Sequence, residues 1–293
     1  MSSAGHRFQA PKGTRDVYPE DLLRRRFITE SWRRASIRFG FDEIDGPTFE
    51  HLDLYTVKSG EGIVSELFSF QRQGGETTFA LRPEFTPSLA RMFASKAGTL
   101  PKPVKWFMAG PFFRAERPQR GRLREFLQWN LDVIGGDDEA SKARADAEVI
   151  SCGIDLMASM GLTPEHVKVH LNDRSVMAAH LESLGVAPER TSDALTLLDK
   201  RGKLDASALA AEATAKDLEA DGFLAFLCRD RDDPSGPAPG ALEGVRDALR
   251  DAGVDEWCVL DFNIARGLAY YTGTVFEFVA DGERAVCGGG RYD

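Results

Sequence analysis

The chain has 293 residues, of which 42% are hydrophobic and 28% charged; this ordinary globular composition, near the upper limit of one hydrophobic core, excludes a mainly disordered, collagen-like or membrane-embedded protein. A formal net charge of −9 argues against a surface that grips polyphosphate backbone everywhere. No run approaches the roughly 18 apolar residues of a membrane span, and the start MSSAGHRFQAPKG lacks an apolar signal core, so a cytoplasmic protein without membrane insertion is expected. Cys152, Cys228, Cys258 and Cys287 have no CxxC spacing and are expected as buried thiols, neither a disulfide framework nor a zinc site.

In chain order, PKGTRDVYPED (Pro11 to Asp21) has the Pro, Gly and Asp content of an ordered turn leading into a helix. Ile28, Trp32, Ala35 and Phe39 then repeat on one helical face, and Gly40 supplies the stop. FDEIDGPTFEHLDLY (Phe41 to Tyr55) reads as a strand interrupted at Gly46 and Pro47, and the proline restricts it to an edge or an interface. A short strand over Thr77 to Leu81 runs into a helix opened by Thr86 and Pro87, and a second strand covers Val104 to Phe113. Between Glu125 and Gly135 the alternation is strict: Leu127, Trp129, Leu131 and Val133 share one face, Gln128, Asn130 and Asp132 the other. The apolar face must pack, and the polar face borders a wet site or solvent.

Ser141 to Met160 keeps helical spacing through Ala143, Ala147, Ile150, Ile154 and Met157. From Asn172 to Glu256 an alanine-rich block reads as a helical insertion, broken by a linker-like loop at Asp232 to Gly240. β-Character returns from Cys258 to the end. No regular βα alternation supports a doubly wound fold, so the expected class is α+β, an antiparallel sheet flanked by helices. The expected division is 1–171 and 257–293 as two parts of one catalytic domain, with 172–256 inserted between them.

Three segments carry the chemistry. Arg114 and Glu116 open a turn with five arginines between Arg114 and Arg124, and arginine's planar fork of donors suits phosphate or carboxylate. A solvated basic hairpin is the plainer reading, which the polar face of the next strand weakens. IARGLAYYTGTVFEF (Ile264 to Phe278) sets Arg266, Gly267, Tyr270 and Tyr271 among strand residues; paired tyrosines are commonly core or interface, yet their phenols supply hydrogen bonds from an apolar wall. CGGGRYD (Cys287 to Asp293) offers a backbone surface for a flat ligand or simply a tight turn, and matches no P-loop. The five histidines form no HExxH; His166 and His170 are four apart but lie in a strand-like VKVH, so no metal site is expected.

Taken together these segments resemble the histidyl-tRNA synthetases, class II aminoacyl-tRNA synthetases. PKGTRDVYP resembles the family's N-terminal signature, GFDEIDGPTFEHLDLY its dimer-forming first motif, and ALRPEFTPSLAR the loop that contacts the substrate amino group. FFRAERPQRGRLREFLQWNLDVIG resembles the second motif, and RGLAYYTGTVFEF and GGGRYD the two histidine motifs. The resemblance implies ATP-dependent activation of L-histidine to histidyl adenylate and transfer to tRNA(His), with Mg²⁺ on the phosphates, by a homodimer. It implies Arg114 and Arg266 as catalytic cations and Arg114 and Glu116 at ATP. Glu84, Thr86 and Gln128 are implied at the histidine amino end, and Asp132, about 13 Å beyond Gln128 on the same strand face, at the imidazole with Tyr270 and Tyr271.

Ala269 departs from the family's usual acidic residue there. The family continues past the residue matching Asp293 with a third motif bearing an ATP-binding arginine and an anticodon-binding domain, so the 293 residues are expected to be a fragment, inactive or nearly so alone. The synthetase-like regulatory subunit of ATP phosphoribosyltransferase, or an inactive synthetase-like protein, are the alternatives; the intact ERPQRGR and RG-x-x-YYTG segments speak for the enzyme.

Overall fold

A computed structural model of the chain describes residues 8–57, 66–119, 121–198, 200–201, 204–229, 237–238, 240–262, 264, 271–280 and 285–293. The chain divides into two compact units, Met1–Gly135 and Gly136–Asp293. Each is built on antiparallel strand pairs with helices packed against them, the α+β class expected.

In the first unit, α1 (Pro19–Arg38) starts on a proline, carries Glu20 and Asp21 in its first turn and Arg38 in its last, and so complements its own dipole. Gly40 ends it at φ +73°, a left-handed conformation that glycine adopts without a Cβ clash. The inward face of α1 is Ala35, Ser36 and Trp32, whose ring stacks on Trp129 at 6.4 Å. Ile28, expected on that face, is exposed, as are Leu23 and Phe27.

Strand β1 (Asp42–Glu43) runs parallel to β5 (Val104–Phe113), and β5 pairs antiparallel along its whole length with β6 (Glu125–Ile134). A second antiparallel sheet has the order β2 (Phe49–His51), β4 (Thr78–Leu81), β3 (Ser69–Gln71). The expected strand over Phe41 to Tyr55 is therefore two short strands, and residues 52–57 are helical. The reason is spacing. Leu52 and Tyr55 both join a cluster with Leu67 and Ala80; three residues apart, they share a helical face but would fall on opposite sides of a strand. Helix α2 (Thr86–Ala94) opens with Thr86 and Pro87 and lays Leu89, with Phe85, against Met108 and Phe112 of β5.

In the second unit α3 (Glu139–Ser159) is capped by Asp138, which accepts from the Ser141 backbone N–H at 2.8 Å. Helices α4 (Arg174–Ser183), α5 (Thr191–Leu198), α6 (Ala206–Thr214) and α7 (Asp221–Cys228) gather Met177, Leu181, Leu197, Leu209, Phe223 and Leu227 into a core of their own. Helix α8 (Leu242–Asp251) turns Val245 and Leu249 instead toward α3 and the sheet. That sheet has the order β10 (Ala285–Gly290), β9 (Thr274–Ala280), β7 (Val167–Asp173), β8 (Cys258–Leu260), with only β7 and β8 parallel. Gly153 of α3 is a close-approach glycine: a Cβ there would stand 2.5 Å from Cζ of Phe278. Most of the loop expected at Asp232 to Gly240 lies outside the described residues. Of the four cysteines Cys152 alone is buried; Cys228 is exposed and Cys258 and Cys287 half-buried, because Cys228 ends a helix at the surface and the other two sit in the outer strands of the sheet.

Candidate active site

The arginine-rich turn is an ordered hairpin. Its neck closes where the Arg114 N–H donates to Arg124 O at 2.9 Å, and its tip where Gln119 and Arg122 exchange backbone hydrogen bonds around Gly121, at φ +77°. The PKGTR segment braces the base: Arg124 N–H donates to Gly13 O at 2.7 Å and the Arg124 guanidinium reaches Lys12 O and Glu116 O. Gly13 has φ +88°, and a Cβ on it would lie 2.8 Å from both Arg124 Cγ and Pro118 Cγ. Only glycine fits this approach.

Arg114 leaves the end of β5 half-exposed. Its Nε donates to Pro83 O at 3.2 Å, its guanidinium lies 5.2 Å from the Phe126 ring centre, and its Nη1 stands 3.9 Å from Glu116 Oε1. Glu116 also meets Arg122 at 3.4 Å. Arg114 and Glu116, expected together, are together. The carbonyl and the ring orient the fork of Arg114, and both contacts are ones a charged guanidinium makes.

Pro83 belongs to the segment carrying Glu84 and Thr86, both half-buried at the entry to α2. The segment is fixed by Arg82, which sequence reasoning missed as a site residue. Arg82 is 2% exposed; its Nε donates to Pro111 O at 2.9 Å, and its Nη1 to Gly46 O at 2.9 Å and Asp45 Oδ1 at 3.1 Å. The available signal was a charged residue between a strand and a proline in ALRPE. Buried Glu50 ties β2 to α2 by accepting from Ser88 Oγ at 3.1 Å and pairing with Arg91.

The alternation of β6 holds. From the apolar face Trp129 meets α1, stacking on Trp32 and donating through Nε1 to Ser36 Oγ at 2.9 Å. On the other face Gln128, Asn130 and Asp132 stand opposite Gly110, Met108 and Trp106 of β5. This row is not simply wet: it borders the apolar cluster of Phe85, Leu89, Met108 and Phe112. Gln128 Nε2 donates to Asn130 Oδ1 at 2.6 Å. Gly110, the cross-strand partner of Gln128, leaves the space that Arg82 fills, since a Cβ there would be 2.9 Å from Arg82 Nη2.

In the second unit Tyr271 is buried with Ile264, Val275 and Tyr292. Arg266, Gly267, Ala269 and Tyr270 lie outside the described residues. The glycine run is neither a turn nor an open platform; Gly288–Gly290 belong to β10, and Cβ atoms at Gly289 and Gly290 would meet Phe276 Cζ at 2.6 Å and Tyr271 Cδ1 at 2.8 Å. The space that Gly289 and Gly290 leave is filled by the protein's own rings. Arg291 is consumed by Asp146, with Nη2 at 2.5 Å and Nε at 3.2 Å from Oδ2. Burial pushes the Asp146 carboxyl up while Arg291 pulls it down, and Asp146 in turn holds Arg291 above its ordinary value against burial. These shifts give opposite accounts of the pair, and the bidentate geometry decides for an ion pair. His170 Nδ1 is 2.8 Å from Asp261 Oδ2, whereas His166 bonds Thr163. Among the described residues no group of three His, Cys, Asp or Glu side chains is placed to hold a metal, and no helix is long and apolar enough to cross a membrane.

The family model for histidyl-tRNA synthetase matches residues 13–293. The chain belongs to the histidyl-tRNA synthetase family. It is 40% identical over 304 residues to the histidine–tRNA ligase of Haloarcula marismortui, covering 98% of this chain and 68% of that protein. The histidine–tRNA ligase of Methanosarcina acetivorans is also 40% identical, over 96% of this chain and 68% of its own length. Family membership makes the chain a ligase of the aminoacyl-tRNA synthetase class. Among solved structures, histidyl-tRNA synthetase from Nostoc sp. PCC 7120 superposes with a TM-score of 0.81 at 22% identity, covering 98% of this chain and 69% of that one. An ATP phosphoribosyltransferase regulatory subunit/histidyl-tRNA synthetase from Bacillus halodurans gives 0.77 at 22%, over 98% and 76%. At such identities these two likenesses concern the fold alone.

Proposed function

We propose that this synthetase-family chain activates L-histidine with ATP and serves transfer of the histidyl group to tRNA(His). The observation that carries the reading is Arg114, held by a carbonyl and a ring face beside Glu116, with the Gln128 to Asp132 row on the adjoining strand. Activation is in-line attack of the histidine carboxylate oxygen on the α-phosphorus of ATP. A new P–O bond forms, the bond to pyrophosphate breaks, and negative charge rises on the non-bridging oxygens. Fixed cations lower that barrier most directly, the role proposed for Arg114 and Arg266. Glu116 orients the hairpin or meets the adenine. Glu84, Thr86 and Gln128 take the α-amino group, and Asp132, Tyr270 and Tyr271 the imidazole.

Mg²⁺ commonly enters with substrate phosphates, keeping waters and few protein ligands. That mode fits a hairpin whose carboxylate, Glu116, already meets Arg114 and Arg122. The ion would add positive charge at the phosphates, and the chain's part is to orient the nucleotide. The regulatory-subunit alternative shares the fold but gives no physical reason for a half-exposed arginine held by a carbonyl and a ring face beside Glu116.

We further propose catalytic parts at 1–171 and 257–293 around a helical insertion, a cytoplasmic location, and a homodimer formed through Phe41 to Tyr55. Exposed Phe49 and Phe70, with Leu23 and Phe27 of α1, support the dimer; a monomer in sedimentation at micromolar concentration contradicts it. Adenylation is tested by pyrophosphate–ATP exchange, on the chain alone and joined to the C-terminal segment of the Haloarcula marismortui relative. The joined chain is expected to exchange only with histidine present, about 10²-fold more slowly after Arg266→Ala; exchange indifferent to histidine contradicts the reading.

A further inference from the structure

On the polar face of β6 the amide of Gln128 is held by its neighbour. Its Nε2 donates to Asn130 Oδ1 at 2.6 Å, an arrangement that turns Oε1, the other end of the amide, away from Asn130. An ammonium group carries donors and no acceptor, and an amide that meets it must present oxygen. A glutamine with no neighbour to hold it would turn either end outward.

Asn130 is itself an unusual choice for this place. Among the described residues its Nδ2 is buried with no hydrogen-bond partner, beside a strand partner, Met108, that belongs to an apolar cluster. Leaving a buried donor unmade destabilises a fold, and an apolar side chain of similar volume would avoid that cost. Stability therefore gives no reason for an amide here, whereas the orientation of Gln128 does.

We infer that Asn130 is a positioning residue for the amino-acid substrate: its Oδ1 holds the Gln128 amide so that Gln128 Oε1 faces the substrate's α-ammonium. The inference rests on the proposed role of Gln128 and extends it to a neighbour that the ligand need not touch.

The experiment is calorimetric titration of L-histidine into the 293-residue chain and its variants, paired with urea unfolding. Asn130→Leu removes the acceptor while keeping the branching and the number of heavy atoms of the side chain. It is expected to weaken histidine binding about tenfold while its urea midpoint stays level or rises, a combination that a merely structural residue would not give. Asn130→Asp keeps an acceptor for Gln128 Nε2 and is expected to stay within about threefold of the parent. Gln128→Leu should lose at least as much as Asn130→Leu, and the double variant no more than Gln128→Leu alone, because Asn130 acts through Gln128. If Asn130→Leu binds like the parent while Gln128→Leu does not, the inference is overturned and the role of Gln128 stands. If Gln128→Leu binds like the parent, that role fails and the inference fails with it. Equal losses in Asn130→Leu and Asn130→Asp with lowered midpoints would make Asn130 structural and also overturn it.

Discussion

The arginine hairpin of the first unit and the β9–β10 corner of the second hold their cations in opposite ways. Arg291 is largely buried and spends its fork on the Asp146 carboxylate. Arg114 is half-exposed, tied through Nε to a backbone carbonyl and laid over a phenyl ring, with Glu116 beyond hydrogen-bond range of its Nη1. In sequence the two segments read differently: arginine's fork of donors pointed to phosphate or carboxylate at Arg114, and the glycine run before Arg291 to a backbone surface for a flat ligand or simply a tight turn. What separates them is where the compensating charge sits: a buried carboxylate in bidentate contact makes Arg291 part of the fold, whereas Arg114 is held by a carbonyl and a ring face, with the Glu116 carboxylate 3.9 Å from its Nη1.

That contrast can be broken by mutation. Arg291→Ala should have the largest effect on stability, about 3 kcal/mol, because Asp146 would remain buried without its partner; urea unfolding measures it. Combining Arg291→Met with Asp146→Leu should restore most of the loss, and a single-variant loss below about 1 kcal/mol would remove the distinction. Gly13→Ala comes next at about 1 to 2 kcal/mol, from its positive φ and from the contact with Pro118. Deuterium exchange should then show the amides of 114–124 opening faster, and unchanged exchange there would mean that the N-terminal segment does not brace the hairpin. Arg114→Ala should cost least, within about 0.5 kcal/mol. A large loss would make Arg114 as structural as Arg291.

Much of this was legible in the sequence, for identifiable reasons. The alternation of β6 gave its two faces because a strand with period 2 has no other way to sort Trp129 from Gln128 and Asn130. The α1 stop and the α2 start were readable because Gly40 and Pro87 act through their own backbones. The helical turn at 52–57 was missed because its reason, the shared contact of Leu52 and Tyr55 with Leu67 and Ala80, is tertiary. The glycines of β10 were misjudged for the same reason: Phe276 and Tyr271, which occupy the space they leave, are distant or ambiguous in the sequence. Arg82 went unnoticed because its partners, Asp45, Gly46 and Pro111, come together only in the fold.

The central claim is a division of labour, with the amino acid read by the polar row of β6 and the nucleotide by the hairpin. The most direct test is to titrate L-histidine and ATP separately into the parent chain, Asp132→Asn and Arg114→Ala. The account predicts that Asp132→Asn weakens histidine binding about tenfold or more and leaves ATP unchanged, while Arg114→Ala does the reverse. Loss of ATP binding in Asp132→Asn with histidine binding intact would contradict it.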